Sequence, residues 1–252
     1  MMKRISKVLL VGLVSVLVVQ AVASATTVPV SVTAVESRRA SVSLTGTNPN
    51  TSLLNIRRDL TTTSRSTKSW IKFDLSSIYA ANPGWQGNIS AATLTIYLGS
   101  ARTAASADLW GINNTTSENA GWTATSITWW NAPGNDVASI TALDTAEATL
   151  IFSQYAVTGV QFAAIQFVGQ ELINFLNQDL PVEEGDATDG SGIVQFALAN
   201  STGETVFLAH THGTTIGGHA AGALAPTLTV IPEPATLVIL GLGGLLLRRR
   251  FA

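Results

Sequence analysis

Thr93-Leu94-Thr95-Ile96-Tyr97-Leu98 decides the fold. Successive side chains of a β-strand point to opposite faces, so this alternation turns Leu94, Ile96 and Leu98 inward and the threonines outward. Upstream, Ile71, Phe73 and Leu75 repeat the pattern within Ser69–Leu75. Other short stretches rich in Val, Ile, Thr and aromatics lie between clusters of Gly, Asn, Ser and Pro. They predict strands over Val28–Val35, Ser41–Thr45, Ser52–Arg57, Ala91–Leu98, Ala107–Ile112, Ser126–Trp130, Ala148–Ser153, Gly192–Ala199, Thr205–His210 and Pro226–Val230. One segment breaks the pattern. Ile165, Val168, Leu172, Phe175 and Leu176 fall at helical spacing and predict an amphipathic helix over Gln161–Asn177. Many short strands with one helix describe an all-β protein, an antiparallel, jelly-roll-like β-sandwich.

Between the two chain ends, residues 26–231 suffice for one such domain, which at this size buries ~70% of its unfolded-chain surface. The chain contains no cysteine. Disulfides, Cys-based metal sites and a Cys nucleophile are therefore excluded. Only 12% of residues are charged, and the mean hydropathy is +0.31. Within residues 26–231 there are eight basic and fifteen acidic residues, a net charge near −7. All eight basic residues, Arg38, Arg39, Arg57, Arg58, Arg65, Lys68, Lys72 and Arg102, precede Thr103. No nucleic-acid partner is expected, because phosphate contacts need a basic footprint that residues 103–231 lack.

The two ends carry addresses. Lys3, Arg4 and Lys7 precede an apolar run from Val8 to Val19 and then Ala23-Ser24-Ala25. A positive start, an apolar core and a small-x-small site predict a secretory signal peptide over residues 1–25, cleaved after Ala25. At the other end, Pro232-Glu233-Pro234 is followed by the apolar segment 235–247 and by Arg248-Arg249-Arg250. Thirteen apolar residues span ~20 Å as a helix, which with flanking residues and arginine snorkelling makes a short membrane span. The arginines hold that end in the cytoplasm, leaving the body outside. Residues 231–252 closely resemble the PEP-CTERM sorting signal. That resemblance implies an exosortase-type sorting enzyme as partner, transient anchoring in the inner membrane of a Gram-negative-type bacterium, and delivery to the cell surface or extracellular matrix.

The body carries a resemblance of its own. Leu54-Asn55-Ile56-Arg57, Ser69-Trp70-Ile71-Lys72-Phe73-Asp74-Leu75-Ser76 and Ile89-Ser90-Ala91-Ala92-Thr93-Leu94-Thr95-Ile96-Tyr97 look like the opening of DNRLRE-type domains. These are β-sandwiches similar to the disaggregatase-related and family-96 carbohydrate-binding modules. Trp122 followed by Ile127-Thr128-Trp129-Trp130-Asn131-Ala132-Pro133 resembles the family's "W…TW…P" segment. The late helix, Gly192–Leu198 and Ala225–Val230 fit its second half, so the resemblance covers about residues 28–230 of a domain placed at 26–230. The name-giving DNRLRE string is absent, and Phe175 stands where such helices often carry Trp. The resemblance implies a sandwich that binds extracellular polysaccharide.

Candidate site residues form four groups. Trp110, Trp122, Trp129 and Trp130 lie close together with Asn131 among them. Flat aromatic faces and planar amides are what sugar C–H faces and hydroxyls need, although aromatic residues also serve as packing. On a strand, Trp129 and Trp130 would face opposite ways, one into the core and one outward. Arg57 and Lys72 are the candidates for an anionic glycan, on strands that could share one sheet face. His210, His212 and His219 are spaced as a three-His metal site or as an ordinary polar strand and loop. Glu183, Glu184, Asp186 and Asp189 form an acidic, glycine-bearing loop that could hold a structural calcium or simply be solvated. Asp74 reads as a turn former at a strand end.

No G-x-S-x-G elbow, HExxH motif or phosphate-cradling glycine loop is present, so an enzyme is not expected. The expectation is an exported, surface-sorted, non-catalytic protein of the polysaccharide matrix or cell envelope that binds carbohydrate. A purely structural matrix protein is the alternative, and a polysaccharide-active enzyme comes third.

Overall fold

The computed structural model describes residues 28–42, 53–82, 85, 87–113, 121–178, 192–200, 206–209, 217–220 and 222–233. Residues Val30–Val230 form one compact unit. The remaining residues, 1–29 and 231–252, are grouped as a second unit, of which only 28, 29 and 231–233 are described. The signal peptide with Ala25, the motif residue Pro234, the apolar segment 235–247 and Arg248–Arg250 lie outside the described residues. Among the described residues, no helix is long and apolar enough to cross a membrane.

The fold is an all-β sandwich of two sheets. Its strands are β1 (Val30–Thr33), β2 (Glu36–Ser41), β3 (Leu53–Ile56), β4 (Thr67–Asp74), β5 (Ile89–Leu98), β6 (Ser106–Ile112), β7 (Ala148–Ala156), β8 (Ala164–Phe167), β9 (Ile193–Ala199), β10 (Val206–Ala209) and β11 (Thr227–Pro232). One sheet runs β1-β11-β5-β10-β3, with β8 also pairing β5, and the other runs β2-β4-β9-β6-β7. The alternating strand reads as expected, with Leu94, Ile96 and Leu98 fully buried, and so are Ile71, Phe73 and Leu75. These residues meet Phe196, Leu198, Leu109, Leu228 and Val230 between the sheets.

Five expectations need correction. The strand predicted over Val28–Val35 is confined to Val30–Thr33, and the chain then crosses to the other sheet. Ala34 N–H still bonds Pro226 beside β11, whereas Val35 N–H already bonds Lys72 on β4, so the chain changes sheets there. The next strand, Glu36–Ser41, starts five residues before the predicted Ser41–Thr45, of which residues 43–45 lie outside the described residues. The helix predicted over Gln161–Asn177 splits. Ile165 and Phe167 alternate with exposed neighbours on β8, where they face Ile96 and Leu94, and helix starts only at Gln170. Ser126–Trp130 is a run of turns and not a strand. Ser126 Oγ accepts from Thr123 N–H, and Asn131 Oδ1 accepts from Thr128 N–H. Such local side-chain bonds compete with a strand ladder. Finally, β11 runs to Pro232, two residues beyond the strand predicted over Pro226–Val230.

Among the described residues, two α-helices complete the unit. Helix α1 (Ser76–Ala81) follows Asp74, whose Oδ1 accepts from Ser76 N–H at 2.9 Å, the turn-forming role its place predicts. Helix α2 (Gln170–Gln178) buries Leu172, Phe175 and Leu176 against the core. Its Phe175 ring fits over Gly111, where an added Cβ would stand 2.1 Å from Phe175 Cε2.

Candidate functional site

The connection between β6 and β7, described from Gly121, folds back over the outer face of the five-stranded sheet. That face is set by register. Across it run Glu36–Lys72–Gln195, then Arg38–Trp70–Ala197–Trp110, while Lys68 pairs with Ala40 and Asp108 with Ala199. Small alanines between large side chains leave room for the loop. Trp122, Ile127, Trp129, Ala132 and Leu143 fill that room and form a second hydrophobic core with Trp70, Trp110, Ile112 and the alanines.

Three residues of β4 tether the loop. Lys68 is fully buried. Its Nζ donates to Asn135 Oδ1 (2.7 Å), Asp136 O (3.2 Å), Ser139 O (2.9 Å) and Ala142 O (2.5 Å). It also stands 4.7 Å from the centre of the Trp129 ring. Trp70 donates its indole N–H to Pro133 O at 2.9 Å. Lys72 donates to Trp122 O and lies over that residue's ring, while the Trp122 indole N–H donates to Gln195 Oε1. From β2, Glu36 accepts the Ala124 N–H at 2.7 Å. Burial pushes Lys68 down to about 7, with Asp136 pulling the other way. Lys72 is lowered by the same cause and held up by Glu36 and Asp74. Arg38, on the same sheet face, is also lowered by burial and by neighbouring Arg39.

The predicted site residues separate in this arrangement. Trp110, Trp122 and Trp129 are buried in the second core, so none offers a ring face to a ligand. Their apolar surface is needed beneath the loop, and that corrects the platform role read from their clustering. Trp130 is 58% exposed, whereas Trp85 is half-buried and the other four tryptophans are buried. Asn131 sits beside it, but its amide is engaged. Oδ1 accepts from Thr128 N–H and Oγ1, and Nδ2 donates to Ser126 O.

Arg57 and Lys72 do not share a face. Arg57 follows β3 of the six-stranded sheet and pairs with Asp59 at 2.6 Å, whereas Lys72 is buried beneath the loop of the other sheet. Asp59 is held below the ordinary carboxylate value, first by the Thr62 N–H and then by Arg57 and the Thr61 N–H. His219 packs edge-on against Phe162 at 5.0 Å. His210, His212 and the acidic loop 183–189 lie outside the described residues. Among the described residues, no group of three metal-binding side chains occurs.

With this geometry the segment Trp122…Thr128-Trp129…Pro133 becomes legible as the covering loop itself. The model of carbohydrate-binding module family 96 matches residues 23–179, more than half of the chain. The chain belongs to carbohydrate-binding module family 96. No curated protein matches it. In this family-96 module the matched stretch extends from before β1 to the end of α2 and contains the whole covering loop. Sequence reading missed Lys68. The available signal was its place two residues before Trp70 and four before Lys72, on the strand face opposite Ile71 and Phe73.

Proposed function

We propose that this protein is a non-catalytic carbohydrate-binding domain, exported from the cell and held at its surface or in the extracellular polysaccharide. The sugar contact is Trp130. Membership in a family of carbohydrate-binding modules supports the activity, and the exposure of this one indole carries the assignment of the contact. A rigid ring costs little conformational entropy to present, and its amphipathic character suits a surface that is part C–H and part hydroxyl. Exposed Thr123, Thr125 and Ser126 lie at the preceding turn of the same loop and supply hydroxyl partners.

The chain ends support export and surface sorting. The basic-apolar start with its Ala23-Ser24-Ala25 site directs secretion, and Pro232-Glu233-Pro234 with the apolar run and Arg248–Arg250 directs handling by an exosortase-type enzyme.

The test is retention of the purified chain on neutral and anionic polysaccharides, with Trp130→Ala alongside. Retention that Trp130→Ala abolishes supports the assignment. Retention that survives the substitution moves the contact elsewhere, and no retention on any glycan favours a purely structural matrix protein. Intact mass of the protein released by its native host tests the address: a chain starting at Thr26 and lacking Ala235–Ala252 is expected.

A further inference from the structure

Lys68 is a buried ionisable group that glycan binding does not itself require. Four oxygens of one loop segment converge on its nitrogen, three of them backbone carbonyls. Carbonyl and amide oxygens closing around a positive centre is how a polypeptide holds a cation, and here the cation is covalently part of the neighbouring sheet. The link onward is direct. Asn135 accepts from Lys68 through Oδ1 and donates through Nδ2 to Trp129 O at 2.5 Å. That carbonyl belongs to the peptide unit that carries the Trp130 nitrogen. The Trp129 side chain is held from two further directions, by the Lys68 charge over its ring and by its own N–H bond to Val137 O at 3.2 Å. Trp130 itself is exposed and has the Thr128 hydroxyl accepting from its backbone N–H at 3.3 Å.

We propose that Lys68 is a positioning residue: its ammonium is a tethered cation around which residues 135–142 wrap, and that wrap fixes the peptide that presents Trp130 to a glycan. The first half stands on the oxygen cage alone, and the second rests on the reading of Trp130 as the sugar contact. Without the nitrogen, four oxygens lose a donor in a buried place, and a buried acceptor left without a donor favours the open loop. Lys68→Met keeps the apolar stem and removes every donor. Lys68→Ala removes the stem as well, leaving a channel that a free n-propylammonium ion matches in length.

The experiment uses the full chain at pH 6, where Lys68 carries its proton, and reads two quantities. Protease cleavage within residues 121–147, which needs no glycan, should be at least about tenfold faster in Lys68→Met, because cleavage follows the population of the open form. In Lys68→Ala the same acceleration should be reversed by n-propylammonium and not by the neutral isostere n-propanol. Glycan retention should then fall in Lys68→Met, and the double variant with Trp130→Ala should retain no less than Trp130→Ala alone. Wild-type cleavage rates in Lys68→Met, or equal rescue by propanol, would overturn the tethered cation. Faster cleavage with retention unchanged would overturn the positioning role. A wild-type chain that binds no glycan would count against the carbohydrate reading while leaving the cleavage and rescue results to decide the cage.

Discussion

Lys72 and Trp122 are bound to each other twice, once through the lysine Nζ and the tryptophan carbonyl and once through the charge over the ring at 4.9 Å. The same indole donates to Gln195, the residue directly across from Lys72 in the sheet register. One loop tryptophan therefore grips two neighbouring strands. Trp122→Ala is expected to cost about 3–5 kcal/mol, the range for emptying a large core site. Trp122→Phe keeps a ring and loses the N–H, and should cost about 1–3 kcal/mol through the buried amide it no longer serves. Urea midpoints measure both, and a neutral Trp122→Phe would show that the bond to Gln195 contributes nothing.

Gly111 is a second point of close approach. A Cβ there would meet the Phe175 ring at 2.1 Å. The outcome expected for Gly111→Ala is a loss of about 1–3 kcal/mol by overpacking. Phe175→Leu removes the clashing ring edge, so the double substitution should cost less than the two single losses together. Strict additivity in denaturant unfolding would show that helix α2 moves aside freely.

What the sequence revealed follows from which signals are local. Leu94, Ile96 and Leu98 declared their face because their neighbours are threonines, and the two-sheet architecture followed from repeating that test. Strand β4 was only half legible. Ile71 and Phe73 announced one buried face, but Lys68, Trp70 and Lys72 form a second one, buried by a loop that lies far along the chain. Lysine reads as solvent-facing until something else supplies four oxygens. The same distance effect hid the roles of the tryptophans. Clustering of Trp110, Trp122, Trp129 and Trp130 was visible, while which of them the loop turns outward depends on turns made by Ser126, Thr128 and Asn131. The pattern Ala164-Ile165-Gln166-Phe167 alternates as a strand and was outweighed by the helical spacing that begins in earnest at Leu172.

The burial of Lys68, Lys72 and Arg38 also changes what salt should do. Three of the eight basic residues within residues 26–231 are buried, Lys68 and Lys72 of them beneath the loop. A contact made by Trp130 involves no ion pair, so retention on a neutral glycan should change little between low salt and physiological salt, where the Debye length is about 8 Å. Affinity electrophoresis across that range provides the measurement. A steep loss with salt would assign binding to exposed Arg65 and the half-buried arginines in place of the indole.

The pH dependence of stability should carry the signature of Lys68. Burial lowers its folded-state value from 10.5 to about 7, while the unfolded chain keeps the proton up to its ordinary value near 10.4. Below 7 both states are protonated and the group adds no slope. Between the two values the unfolded chain holds more protons, so unfolding becomes more costly as pH rises, by up to about 1.4 kcal/mol per unit. The cage is compatible with this, since a neutral amine still has two N–H groups to donate among the four oxygens while losing the cost of a buried charge. Lys72 shifts in the same direction, so Lys68 is isolated by comparing the wild type with Lys68→Met at pH 6, 7, 8 and 9. The wild type should gain stability relative to the variant from pH 7 upward, with the Lys68 side-chain carbon resonance titrating near 7. Parallel curves across that range would mean that the cage holds the proton as firmly as water does.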